Sequence, residues 1–167
     1  KVYFIGAGPG DPELLTLKAK RILEGSDIVI YAGSLINKEI LKFTRKDAAL
    51  HDSSTMELGE ILEIYKEAKR TGRTVARIHS GDLSIYSALQ EQLDWCEKEG
   101  VESEIIPGIS SFQAAAASLK QEFTLPGVSQ TLILTRISGR TEVPARESLE
   151  DLARTKATMA IFLSIHE

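Results

Sequence analysis

The sequence is poor in cysteine: Cys96 is the only one, so no internal disulfide can form. A reducing, cytoplasmic setting fits that usage. It also lacks a basic excess. Twenty Lys and Arg stand against 24 Asp and Glu, for a net charge of -4. That balance argues against a broad nucleic-acid footprint, which needs a basic face, though it leaves room for a local cationic pocket. No apolar run approaches the roughly 18 residues of a membrane-spanning helix, and no signal peptide is visible. The chain begins at Lys1 without Met and ends just past an apolar stretch, and both ends read as cuts.

Several chemical signatures are missing as well. There is no G-x-x-x-x-G-K-[ST] phosphate loop and no G-x-S-x-G elbow, and no Cys/His pair can be argued, so a nucleophile-based hydrolase is not expected. His51, His79 and His166 lack the spacing of a metal site, which needs about three ligands. No metal is therefore expected. No internal repeat or low-complexity segment appears.

What is present is 167 residues with 43% hydrophobic and 26% charged content, ordinary for a globular chain of one domain or one and part of another. Residues 2–5 read as a buried strand. The strand breaks into Gly6-Ala7-Gly8-Pro9-Gly10-Asp11-Pro12, and Leu14, Leu15 and Leu17 open a helix. The glycines run G-x-G-x-G, not the G-x-x-G ending of a dinucleotide fingerprint, and Pro9 and Pro12 remove N–H donors a pyrophosphate would want. A tight turn with no ligand is the competing reading.

Downstream, strands are expected at 27–31, 48–51, 74–78 and 102–106. Helices are expected at 14–23, from Asn37 to Leu41, from about 53 to 72, at 84–98 and at 110–119. The alternation indicates a mainly parallel sheet. Four strands then end in loops rich in Gly, Ser or Asp, at 6–10, 32–34, 80–82 and 107–111, and open α/β sheets bind small molecules at that edge. From residue 125 the pattern changes, with a strand at 131–135, a short helix at 149–153 and a strand at 159–163. This reads as a first domain over 1–122 and the beginning of a second over 123–167. Without the remainder of that domain, the last strand is expected to be an unpaired edge.

Some side chains stand out. Asp82 could accept hydrogen bonds from a ribose hydroxyl or an amine, or simply favour a helix start. Ser110 and Ser111 could cap a helix. Arg136, Arg140 and Arg146 fall in a loop and could be solvated, or could form a wall for carboxylates, which guanidinium forks match.

The stretches Gly6-Ala7-Gly8-Pro9-Gly10-Asp11-Pro12, His79-Ser80-Gly81-Asp82-Leu83-Ser84-Ile85-Tyr86 and Pro107-Gly108-Ile109-Ser110-Ser111 resemble the signatures of the S-adenosylmethionine-dependent tetrapyrrole methyltransferases. Tyr31-Ala32-Gly33-Ser34-Leu35 and residues 125–141 are similar to the branch that methylates C-11 of precorrin-4 or cobalt-precorrin-4 in cobalamin synthesis. The resemblance covers essentially the whole chain. It implies a two-domain α/β fold with a mixed, here incomplete, second domain. It also implies a homodimer with S-adenosyl-L-methionine held between domains and a tetrapyrrole substrate; a cytoplasmic protein with no nucleic acid or membrane partner is expected from the cysteine usage, the acidic balance and the lack of a long apolar run. By position, Pro9, Ser80, Gly81, Asp82, Ile85, Ser110, Ser111 and Leu163 would hold the cofactor. Given a polycarboxylate substrate, Arg136 and Arg140 become the expected carboxylate contacts.

No catalytic residue is assigned; His79, Asp82 and Tyr86 are only nearby candidates for a base. Leu83 departs from the proline many relatives carry after Gly-Asp. The competing readings are another branch of the family (a different ring carbon, a diphthamide precursor or ribosomal RNA), a non-catalytic nucleotide-binding module, or a fragment inactive through truncation.

Overall fold

Near-continuous burial along the central strands reflects a sheet covered on both faces. The structure, a computed structural model, describes residues 1–139 and 141–165. The expected substrate contact Arg140 lies outside the described residues. The chain divides into two compact units, Lys1–Ser111 and Phe112–Glu167.

In the first unit, β1 (Val2–Gly6), β2 (Ile28–Tyr31), β3 (Ala49–Asp52), β4 (Val75–His79) and β5 (Ser103–Ile106) form one sheet in the order β3-β2-β4-β1-β5. Every pairing in it is parallel. One face carries Val2, Phe4, Ile28, Ile30 and Val75 under Ile61, Tyr65 and Ala68 of α2 (Leu58–Thr71) and Cys96 of α3 (Gln90–Lys98). The other carries Ile5, Val29, Ala76 and Ile78 under Ala19 and Leu23 of α1 (Leu17–Gly25) and Ile40 of a 3-10 helix, Lys38–Phe43. The period-2 strand pattern thus feeds two apolar layers, as a doubly wound sheet requires.

Three helices start later than the periodicity suggests, α2 among them: Ser53–Thr55 is a separate 3-10 turn, and α2 begins only at Leu58. Asp11 accepts a hydrogen bond from the Glu13 amide at 2.9 Å and winds Pro12–Leu14 into a 3-10 turn. The Thr16 hydroxyl then caps the Ala19 amide at 3.2 Å, and α1 begins at Leu17. The expected helix at 84–98 begins only at Gln90. Ahead of it, Tyr86 and Ala88 have φ of 53° and 50°, a left-handed backbone that ends any helix. Two anchors force that loop. Leu83 and Leu89 are both buried in the core, and Asp82 captures the Ser84 amide at 2.9 Å. Leu83 is therefore a core side chain.

In the second unit, β6 (Leu132–Arg136) and β7 (Thr158–Phe162) pair in parallel along their full length. The link between them carries a 3-10 turn, Ala145–Glu147, and α5 (Leu149–Ala153). The last strand, expected to be an unpaired edge, has β6 as partner on one side among the described residues and remains an edge on the other. Helix α4 (Ser111–Leu119) starts at the division between the units. Phe112 packs its ring 6.5 Å from those of both Phe123 and Phe162, which draws this segment into the second unit. The sequence had placed the division after residue 122.

Candidate functional site

All five strands of the first unit run the same way, so their following loops meet at one edge of the sheet. The link from β1 to α1 leaves toward one face, and the link from β4 to α3 leaves toward the other. Since β1 and β4 are neighbours, the chain parts between them, which is the place where such sheets bind ligands.

Backbone holds the parting in shape. The Ala7 amide donates to the His79 carbonyl at 2.8 Å, the Gly8 amide to the Gly81 carbonyl at 3.1 Å, and the Gly81 amide back to the Gly8 carbonyl at 2.8 Å. Three loops crowd here. A Cβ on Gly6 would lie 2.6 Å from the Gly108 nitrogen, and one on Gly108 would lie 2.3 Å from the Gly81 carbonyl oxygen. Only glycine permits that approach. Further out the backbone is bare: a Cβ on Gly10 would meet nothing within 4 Å, and one on Gly81 only the Ser110 Cα at 3.9 Å.

Asp82 ties the β4 loop to the β5 loop. Its Oδ2 accepts from the Gly108 amide at 2.9 Å, and its Oδ1 accepts from the amide and hydroxyl of Ser84. Partial burial pushes its pKa up, but the Ser84, Gly108 and Leu83 hydrogen bonds outweigh that and hold it below the ordinary aspartate value. Asp82 is an ionised clamp between loops, not the N-terminal residue of a helix.

His79 is buried, and burial together with the Arg77 charge lowers its pKa to about 4, against a hydrogen bond with the Ser87 backbone. It is neutral at physiological pH, and its Nε2 is buried without a hydrogen-bond partner. That makes it a poor proton acceptor. Tyr86 lies exposed in the left-handed loop.

The structure gathers seven of the expected cofactor contacts at this edge. Pro9 follows β1; Ser80, Gly81, Asp82 and Ile85 follow β4; Ser110 and Ser111 follow β5. Ser80 and Ser111 are exposed, Ile85 is half-buried and Ser110 is buried. The other described residues of the expected set lie in the second unit. Arg136 ends β6, and Leu163 directly follows β7 with φ 56° and its side chain exposed. Parallel pairing of Arg136 with Phe162 puts both at one end of the β6–β7 pair. The Arg136 guanidinium donates to the carbonyls of Ile137 at 3.1 Å, Thr141 at 2.9 Å and Glu142 at 3.3 Å. It closes its own loop beside a cavity of about 440 Å³ that Ser138, Val143 and Leu149 also line.

Sequence reasoning missed two residues at this edge. Asp52 ends β3 and accepts from the Gly33 amide at 3.0 Å. Arg77 is buried and donates to the Ser53 hydroxyl at 2.7 Å. The signal for Arg77 was a lone arginine inside an otherwise apolar strand.

Among the described residues, no group of three or more His, Cys, Asp or Glu is placed to hold a metal, and no helix is long and apolar enough to cross a membrane.

Known proteins are similar to this chain in sequence and fold. A curated cobalt-precorrin-4 C(11)-methyltransferase from Methanocaldococcus jannaschii is 52% identical over 99% of this chain, and the chain spans 64% of that protein's length. The X-ray structure of a cobalamin biosynthetic enzyme, a cobalt precorrin-4 methyltransferase, superposes with a TM-score of 0.94 at 44% identity, over 98% of this chain and 68% of that one. A uroporphyrin-III C-methyltransferase from Thermus thermophilus, solved with S-adenosyl homocysteine, gives 0.70 at 27% identity over 87% of this chain and 60% of that one. The model of the tetrapyrrole (corrin/porphyrin) methylases matches residues 1–167, and the chain belongs to that family.

Proposed function

We propose that this chain acts as an S-adenosyl-L-methionine-dependent methyltransferase that methylates C-11 of precorrin-4 or cobalt-precorrin-4 in cobalamin biosynthesis. The observation that carries the reading is the meeting of the β4, β1 and β5 loops at the point where the chain parts. It is supported by the 52% identity to a curated protein of that name.

The residues present fit the cofactor. Backbone at Gly10 and Gly81 lies open for close approach, and the ionised Asp82 favours a cationic ligand nearby. S-adenosyl-L-methionine, when bound, supplies a methyl group on a positively charged sulfur, so the chain needs no nucleophile of its own. What it supplies is position: the Gly8–Gly81 pairing and the Asp82–Gly108 bond fix the loops that bear Pro9, Ser80, Ile85, Ser110 and Ser111. Orientation of this kind is worth as much as ~7–11 kcal/mol. On the substrate side we assign Arg136, which acts through the 137–142 loop it closes. Family resemblance supports a homodimer, and the free, buried Cys96 fits a cytoplasmic protein.

The test is methyl transfer. Full-length protein given ¹³C-methyl-labelled S-adenosyl-L-methionine and precorrin-4 should place the label on C-11. Label on another ring carbon would move the protein to another branch, and no transfer with intact cofactor binding would favour a binding module. Arg136→Ala should raise the tetrapyrrole KM about tenfold and leave S-adenosylhomocysteine affinity within about twofold. Equal losses of both would remove Arg136 from the substrate side.

A further inference from the structure

The turn after β2 has a construction that the cofactor reading does not use. Tyr31-Ala32-Gly33-Ser34-Leu35 closes on itself, with the Leu35 and Ile36 amides donating to the Ala32 carbonyl at 2.9 and 3.2 Å. Ile36 is driven into the apolar layer shared with α1, which leaves the neighbouring Leu35 side chain outside, 69% exposed.

Three further ties hold the turn. The Asn37 amide nitrogen donates to the Gly10 carbonyl at 2.9 Å, which joins the turn to the loop after β1. Asp52 accepts from the Gly33 amide at 3.0 Å and from the Ser54 amide at 3.0 Å. Ser53 donates to the Tyr31 carbonyl at 3.2 Å and accepts from the buried Arg77 of β4 at 2.7 Å. Gly33 has to be glycine for this, because a Cβ there would lie 2.2 Å from Asp52 Oδ2.

A single exposed leucine on a loose loop would mean little. Here a leucine is held outward by a core anchor and by bonds to two neighbouring loops. β2 lies next to β4 on the side away from β1, so the turn stands at the ligand edge, one strand beyond the cofactor crevice. A rigid apolar side chain at that place suits the flat face of a large ring whose charges lie on its rim.

We propose that the 32–36 turn is a substrate-contact element in which Leu35 lies against the tetrapyrrole ring face and Asp52 is a positioning residue that holds the turn. The inference rests on the methyltransferase reading above.

The test uses full-length protein with precorrin-4 as varied substrate and S-adenosylhomocysteine as calorimetric probe. Leu35→Ser, on the surface and harmless to folding, should raise KM for the tetrapyrrole by about fivefold or more, as loss of an apolar contact implies. Its kcat and S-adenosylhomocysteine affinity should stay within about twofold of wild type. Asp52→Ala should raise KM in the same direction, and Asp52→Asn, which keeps an acceptor oxygen for Gly33, should restore it. A parallel loss of S-adenosylhomocysteine affinity would assign the turn to the cofactor and overturn the proposal. So would unchanged KM in both variants, including a case where Asp52→Ala lowers only the melting temperature. A wild type that binds S-adenosylhomocysteine but methylates no tetrapyrrole would overturn the functional reading together with this inference. Normal wild-type turnover with indifferent variants would overturn this inference alone.

Discussion

Gly108→Ala should lower the melting temperature by roughly 6–12 °C and remove measurable S-adenosylhomocysteine binding. The added Cβ would sit 2.3 Å from the Gly81 carbonyl oxygen and 2.7 Å from the carbonyl carbon and oxygen of Gly6. All three atoms are backbone, so no side chain can swing away. Either the β5 loop lifts or the Gly8–Gly81 pairing opens, at a cost of about 3 kcal/mol. Gly59→Ala is the matched control. That glycine lies within α2 with open space where a Cβ would go, so alanine there should raise stability by up to about 1 kcal/mol. Differential scanning calorimetry of the two variants separates the account from a general intolerance of alanine. A Gly108→Ala protein with wild-type melting and binding would mean the three loops do not meet as described.

Asp82→Ala should cost about 2 kcal/mol at neutral pH, because it removes a charged acceptor from the Gly108 and Ser84 amides. S-adenosylhomocysteine affinity should fall by about tenfold or more as the β4 and β5 loops separate. The pH dependence follows from the sign of the shift. The folded-state pKa lies below the ordinary value. The carboxylate's contribution is therefore complete above the unfolded pKa of about 3.9 and fades as the pH falls through the lower folded value. Wild type and Asp82→Ala should differ most in urea midpoint near neutrality and converge in strong acid. Asp82→Asn, which keeps one acceptor oxygen, should fall between them. A difference that grows toward low pH would mean that the group works as a neutral acid.

Much of this architecture is legible in the chain. The apolar runs at 2–5, 27–31, 74–78 and 102–106 all became parallel strands, and the Gly, Ser and Asp clusters after them fell at one edge. Local signals suffice there, because a short apolar run ended by glycine has few other outcomes. They fail where side-chain bonds or core packing override them. Residues 84–89 have helical periodicity, but the Asp82 bond to Ser84 and the burial of Leu83 and Leu89 bend them into a loop. Asp52 gave no signal, because its partner Gly33 lies 19 positions away and only strand pairing brings them together. Arg136 is open to two readings in the sequence, a solvated side chain or a carboxylate fork, and its bonds to the carbonyls of its own loop carried no local signal.

The most direct test of the central claim is calorimetric titration of the full-length protein with S-adenosylhomocysteine, with NAD as control. The arrangement of Gly8, Gly81, Asp82 and Gly108 predicts binding of S-adenosylhomocysteine and none of NAD. NAD binding, or binding of neither, would contradict the claim that this sheet edge holds the methyl donor.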